Sequence, residues 1–204
     1  MLEDALHDAL HKICKGLSLE LLTHGGTATI TSTTKKKLLI SDDGGTKYNL
    51  DGIIINEERQ PIVLLESKWI RYKKHNRDKG SWIANSHREI KKKYPTVRGS
   101  LALLAGEWSR TSLEMLNQAQ ITVIRIGFDQ VADRLLDEGI DIRWEEKDRL
   151  KSEVAWRNFQ ELDAGVIERI GKDLLDLVKS DLIQFMQTIN NPREAFELTS
   201  LTIT

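Results

Sequence analysis

The chain has 204 residues, of which 40% are hydrophobic and 30% are charged, and its formal net charge is −1. These values describe an ordinary soluble protein whose length suits one domain with a sizeable core. They exclude a membrane span, because no apolar run approaches ~18 residues, and an internal disulfide, because Cys14 is the single cysteine. The acidic N-terminus lacks a signal-peptide pattern, so we expect a cytoplasmic location.

The first part of the chain is predicted to contain a helix followed by strands. Apolar residues at helical spacing predict a helix over residues 3–22, which Gly16 is placed to divide into two pieces. Residues 27–33 are rich in β-branched side chains, and residues 37–40 continue as strand. Residues 42–45 carry the Asp and Gly residues that are typical of a turn.

Two short β-branched runs, residues 48–55 and 61–68, are separated by a polar segment and predict a β-hairpin. With the turn centred in that polar segment, Asp51 falls opposite Glu66. Because side chains alternate between the faces of a strand, Glu66 and Lys68 share one face. The hairpin therefore brings two carboxylates and an ammonium together at one end, where a cation such as Mg²⁺ is the usual partner of paired carboxylates.

The rest of the chain alternates helices with buried strands and then continues as helices. Residues 78–93 predict a helix whose inward side chains are Trp82, Ile83, Ser86 and Ile90. Further elements are predicted in chain order: strand 100–105, helix 112–118, strand 121–126, helix 129–138, and helical segments beyond residue 145.

This order predicts an α/β fold, namely a three-layer sandwich with a mixed central β-sheet flanked by helices, plus a C-terminal helical segment. A core at residues 1–143 and a helical extension at residues 144–204 are the expected domains, because the strands stop near residue 143. The extension either packs on the core or lies at a dimer interface, and the sequence leaves both open.

The hairpin resembles the catalytic hairpin of the PD-(D/E)xK nuclease superfamily, which is restriction endonuclease-like. That family places an Asp at the start of one strand and a (D/E)xK triplet at the end of the next. Here the Asp is Asp51 and the triplet is Glu66, Ser67 and Lys68, whereas Leu50 takes the place of the family's Pro. The order of elements across the predicted core is also similar to that family.

The resemblance implies a Mg²⁺-dependent endonuclease that hydrolyses DNA phosphodiester bonds, of restriction or repair type. In such an enzyme Asp51, Glu66 and the carbonyl of Ser67 would hold Mg²⁺, with Mn²⁺ as a substitute. Lys68 would lie beside the metal and the attacking water. It could orient that water, lower the pKa of the water by its positive charge, or accept the proton of the water, and we favour positioning and electrostatic stabilisation. No small-molecule cofactor is expected.

Members of this family often add a Glu from the first helix. By pattern this is Glu3, which we include among the catalytic candidates, with Glu20 as the alternative. For each of them, a solvated glutamate on a helix face is the competing interpretation. The histidines show no zinc-ligand spacing with Cys14, so no zinc site is predicted.

The charges are distributed unevenly along the chain. Residues 68–98 hold eleven Lys and Arg against two acids, whereas residues 129–204 hold ten against seventeen. A basic segment directly after the hairpin predicts a groove for a phosphate backbone, and the alternative is a solvated helix face. The candidate DNA contacts are Lys35, Lys36, Lys37, Arg71, Lys73, Lys74, Asn76, Arg77 and Lys79.

DNA is thus the expected partner, and a cut at a palindromic site would imply a homodimer. Two rival interpretations stay open. The chain is a catalytically silent DNA-binding protein with the same groove, or a partner protein that binds no nucleic acid, which its acidic C-terminal third would favour.

Overall fold

The computed structural model describes residues 1–23 and 38–191, apart from the side chain of His75. The predicted strand at residues 27–33 and the basic arm at residues 35–37 therefore lie outside the described residues. The helices are α1 (Leu2–Gly16), α2 (Asn76–Lys93), α3 (Arg110–Gln118), α4 (Phe128–Leu136), α5 (Arg149–Gln160), α6 (Ala164–Asp176) and α7 (Lys179–Asn190). The strands are β1 (Glu20–Leu22), β2 (Leu38–Ser41), β3 (Lys47–Leu50), β4 (Gly52–Ile55), β5 (Pro61–Ile70), β6 (Gly99–Gly106) and β7 (Thr122–Gly127).

A mixed sheet of five strands, in the order β1-β4-β5-β6-β7, forms the middle layer. The pairs β1–β4 and β4–β5 are antiparallel, whereas β5–β6 and β6–β7 are parallel. Strands β2 and β3 form a separate antiparallel pair, the small sheet. In the β4–β5 hairpin, Gly52 pairs with Leu65 and Ile53 with Leu64, which confirms the predicted register up to a shift near Ile55.

Helices cover both faces of the main sheet. On one face, Leu6 of α1 packs in the same buried cluster as Val63 of β5, and α4, α6 and α7 contribute to that cluster. On the other face, Ile83 of α2 packs with Leu104 of β6 and with α3. All eight residues of β6 are buried, as expected of a strand covered on both sides. The predicted α/β sandwich with a mixed central sheet is confirmed.

Three local predictions need correction. The first helix ends at Gly16, and the chain turns at Ser18, whose φ of 54° is left-handed, before β1 pairs with β4. The predicted strand at residues 48–55 is divided at Asp51, because its first half pairs in the small sheet and its second half in the main sheet. Trp82 is 45% exposed and does not point inward. The buried stripe of α2 runs instead through Ile83 and the residues about one helical turn before and after it.

The C-terminal helices pack on the core. Leu174 of α6 and Met186 of α7 are buried in the same cluster as α1 and the main sheet. Helix α5 is different, because Ala155 is its only buried residue and Val154 is exposed. Within the described part of the chain, no helix is long and apolar enough to cross a membrane.

We expect Leu174→Ala to lower the free energy of unfolding by about 2–5 kcal/mol, because it leaves a cavity in the shared core. Leu174 is 1% exposed, whereas Leu177, just beyond the end of α6, is 54% exposed and serves as the matched control. Leu177→Ala should change stability by less than about 0.5 kcal/mol. Urea unfolding of both variants measures the two stability losses. A loss in Leu174→Ala as small as that in Leu177→Ala would contradict a place for α6 in the core.

Candidate active site

Asp51 lies at the bend where the chain leaves the small sheet and enters the main sheet. Because Gly52 pairs with Leu65, Asp51 is the next residue along, opposite Glu66. The backbone N–H of Ser67 donates to Asp51 Oδ2 at 2.7 Å, so this carboxylate is held toward β5.

Lys68 joins the two carboxylates. Its Nζ lies 2.6 Å from Asp51 Oδ2 and 2.6 Å from Glu66 Oε2. The two carboxyl oxygens are therefore no farther apart than twice that distance, and all three side chains face the α2 side of the sheet. The hairpin brings together three of the four side chains that the resemblance names as catalytic.

Burial sets the protonation of these groups. Glu66 is 1% exposed, and burial raises its pKa to about 8, since the nearby Lys68 opposes the shift only in part and the neighbouring Asp51 adds to it. Burial acts in the same direction on Asp51, but the hydrogen bond and charge of Lys68 and the Ser67 N–H lower its pKa overall. Burial alone would lower the pKa of Lys68, yet Glu66 and Asp51 raise it above its ordinary value. At neutral pH the site thus holds an Asp51–Lys68 ion pair beside a protonated Glu66.

The donor set fits a magnesium ion. Asp51 and Glu66 each turn a carboxylate oxygen toward one cationic group, the ammonium of Lys68, so these two side chains would be the ones to hold a divalent cation. Glu66 Oε1 is buried and accepts no hydrogen bond from any described donor. No group of three or more His, Cys, Asp and Glu side chains is placed to bind a metal in residues 1–23 and 38–191. Two carboxylates suffice for Mg²⁺, which keeps several water ligands.

An open cleft of about 510 Å³ lies over the exposed side of this triad. It is lined by Asn49, Asp51, Lys68, Asp78, Lys79 and Trp82. Among the predicted DNA contacts, Lys79 lines this cleft. Arg77 is exposed at the start of α2 and does not line it. For both residues, contact with DNA stays a prediction.

Other predicted DNA contacts have different surroundings. Lys73 and Lys74 are exposed but form ion pairs with Glu107, at 3.0 Å, and with Glu146. The arm formed by Lys35, Lys36 and Lys37 lies outside the described residues. For these five lysines, contact with DNA stays a prediction.

Arg71 and Asn76, two more of the predicted DNA contacts, make contacts within the protein. The guanidinium of Arg71 lies 3.7 Å from the centre of the Trp144 ring and donates to the Trp144 carbonyl, so it ties β5 to the segment before α5. Asn76 is buried, and its side-chain oxygen accepts hydrogen bonds from Ser109 and Ser112 at the start of α3. Both side chains are held by contacts within the protein, and contact with DNA stays a prediction for each of them.

The two additional glutamates lie away from the triad. Glu3 is in the first turn of α1, whose layer covers the sheet face opposite to Glu66 and Lys68. Glu20 pairs with Ile55 in register, about four strand residues or 13 Å from Asp51, and contacts Arg59. The structure does not bring either residue to the triad, and the catalytic role of Glu3 stays a prediction.

His87 is a buried residue near the site that sequence reasoning gave no role. Neither ring nitrogen has a hydrogen-bond partner among the described residues, and burial, aided by the charges of Lys91 and Lys68, lowers the pKa to about 3. The helical spacing indicated that His87 is buried, because it lies four residues after Ile83 and three before Ile90, which are both buried. A neutral imidazole therefore sits in the α2 layer behind the triad.

No protein-family model matches the chain, and no curated protein is significantly similar to it. Among solved structures, the chain is similar to one described as "Protein of Unknown Function AF1548", with a TM-score of 0.40 and 10% sequence identity. That likeness covers 94% of this chain and 100% of the other. At this level it says nothing about function, which is therefore inferred from the site alone.

We expect Glu66→Gln to remove a pH dependence of stability. The pKa of Glu66 is raised from 4.5 to about 8 on folding, so its stabilising contribution is complete below about pH 4.5 and lost as the pH rises toward 8. In metal-free buffer, wild type should lose up to about 1.4 kcal/mol per pH unit relative to Glu66→Gln within that window. Urea unfolding at pH 5, 6.5 and 8 measures the difference in unfolding free energy between the two proteins. Any contribution from His87 cancels in this difference, because both proteins contain it. Parallel stability curves would contradict the assignment.

Proposed function

We propose that this chain is a Mg²⁺-dependent endonuclease that hydrolyses DNA phosphodiester bonds, of restriction or repair type. The observation that supports it most is the convergence of Asp51, Glu66 and Lys68, with one ammonium 2.6 Å from both carboxylates. This is the set of groups that the PD-(D/E)xK resemblance names, on the hairpin where it places them.

Asp51 and Glu66, with the Ser67 carbonyl, would hold the metal ion. When bound, Mg²⁺ neutralises charge on the phosphoryl oxygens and lowers the pKa of water. Glu66 must give up its proton to serve as a ligand, because a metal-binding carboxyl is ionised. Asp51 is already ionised, and the Ser67 N–H fixes its orientation.

Lys68 acts as a positively charged positioning group in this proposal. In the metal-free site its pKa is raised above the ordinary value by Glu66 and Asp51, so there it carries a proton throughout the neutral range. A protonated ammonium donates hydrogen bonds and stabilises negative charge, but it does not accept a proton from water. We therefore assign Lys68 to orienting the attacking water and stabilising the charge that develops on the phosphate.

One observation favours the rival of a DNA-binding protein without catalysis. The Lys68 ammonium already neutralises Asp51, and with the Ser67 N–H it gives that carboxylate two donors. A carboxylate satisfied in this way can stabilise a sheet end without any reaction. Cleavage assays separate the two, since both proteins would bind DNA in the same cleft.

Supercoiled plasmid should be nicked or cut by the wild-type chain in Mg²⁺ and left intact in EDTA. Lys68→Ala and Asp51→Asn should each lower the cleavage rate by about 10²–10³-fold, because each removes charge stabilisation or a metal ligand, while DNA binding is retained. Lys12→Ala, on the exposed side of α1 and in the opposite layer, is the control and should cleave like wild type. Binding without cleavage in any divalent metal would favour the silent DNA-binding protein.

Lys79→Ala should weaken DNA binding to a similar extent for unrelated sequences, because a lysine that meets phosphate gives affinity but no base readout. The slope of log K against log salt should fall by about 1. Fluorescence anisotropy from low to moderate salt, with Lys12→Ala as the charge-matched control, measures it. An unchanged slope would place the phosphate backbone outside the cleft.

A further inference from the structure

An indole ring borders the cleft beside the triad. Trp82 is 45% exposed, although α2 has a buried stripe one residue away where a large apolar side chain could pack. It lines the same cleft as Asp51 and Lys68. An exposed tryptophan next to charged groups in a concave surface is typical of a binding site, because apolar surface of this size is costly to leave in water.

The ring is held in place from one side. Tyr48 of β3 lies 5.9 Å from Trp82 between ring centres, at an interplanar angle of 49°. Tyr48 is itself buried, and its hydroxyl donates to Asp42 at 2.9 Å, so it cannot move easily. The exposed part of the indole thus faces the cleft, and Tyr48 supports the ring from the other side.

Helix α2 is also fixed where it carries this ring. The buried Asn76 accepts hydrogen bonds from α3, and the buried Ile83 packs between the layers next to Trp82. Gly80 allows the close approach of α3, because a Cβ there would lie 2.8 Å from the Met115 side chain. A platform held this way loses little conformational freedom when a ligand stacks on it.

Several polar groups of the cleft suit one nucleotide, although the carboxylate of Asp78 also lines it. Lys79 supplies a positive charge for a phosphate, and Asn49 supplies amide donors and an acceptor for a base edge. Lys68 and Asp51 lie in the same cleft, so a phosphate there would be adjacent to the triad. Aromatic ring, amide and lysine together are the combination that binds unpaired nucleotides.

We propose that Trp82 stacks an unpaired base next to the phosphate at the triad, so that the substrate is single-stranded or locally opened DNA. An intact duplex hides the faces of its bases, and an indole in this cleft could stack only on a base that has left the helix. This inference rests on the proposed nuclease function for its position beside the scissile phosphate, but the stacking itself is tested by binding.

The binding test uses the full chain carrying Lys68→Ala, so that DNA is not cut. The probes are fluorescently labelled DNA 12-mers, either single-stranded or as hairpin duplexes, at low salt. Adding Trp82→Ala should weaken single-strand binding by about 5- to 100-fold and duplex binding by much less. Trp82→Phe should keep most of the affinity because it keeps a ring, whereas Trp82→Leu should not, because it keeps only apolar area. Trp156 on α5 is even more exposed than Trp82 and lies outside the cleft, so Trp156→Ala should bind like the parent.

Two results would overturn the inference: Trp82→Leu binding single strands as well as the parent does, or equal loss of single-strand and duplex binding in Trp82→Ala. A second measurement keeps this separate from the proposed function. If the chain with Lys68 intact cuts duplex in Mg²⁺ at a rate that Trp82→Ala does not change, the stacking inference fails and the nuclease stands. If no DNA is cut but single-strand binding depends on the ring at position 82, the nuclease fails and the stacking stands.

Discussion

A single ammonium group between two carboxylates organises this end of the sheet. Asp51 and Glu66 would repel each other if both were ionised at this separation, and the charge of Lys68 together with the proton on Glu66 removes that repulsion. Their meeting depends on the hairpin register and on the alternation of side chains along β5. A shift of β5 by one residue would turn both Glu66 and Lys68 to the other face.

The helix layer over the triad buries these groups, so a charge there is unfavourable unless it is paired. This favours one arrangement of the three side chains. Leu64 and Ile90 are fully buried beside this part of the sheet, so Glu66 lies in an apolar environment. Removing one partner from such a cluster leaves an uncompensated buried group, which typically costs about 3–5 kcal/mol. His87 and the hydroxyl of Ser100 are further buried polar groups without hydrogen-bond partners in the described part of the chain. The face that carries the triad is thus more polar inside than the face covered by α1.

Local patterns predicted the fold and the hairpin well, because both depend on short-range periodicity. The apolar, β-branched run at residues 61–68 and the polar turn before it were enough to place Asp51 opposite Glu66. The division of residues 48–55 at Asp51 was not predictable in this way, since each half is a good strand and only the small sheet decides which partner it takes.

Predictions about single exposed or basic side chains were weaker. Asn76 and Arg71 look like DNA contacts in a run of basic residues, but tertiary hydrogen bonds and aromatic packing hold them within the protein. Trp82 and Ile83 are adjacent apolar residues, and only one of them could lie in the buried stripe of α2. Composition cannot decide which, because the neighbours that cover a helix face come from distant parts of the chain, here β6 and α3.

The raised pKa of Glu66 has a consequence for how a polyanion approaches. With Asp51 negative, Lys68 positive and Glu66 protonated, the metal-free triad has no net charge at neutral pH. In the proposed nuclease, a phosphate backbone that enters the cleft would therefore meet no pair of ionised acids within the triad. Release of the Glu66 proton would supply the second carboxylate for a divalent ion, so the neutral triad and the metal-binding triad would differ by one proton on one carboxyl group.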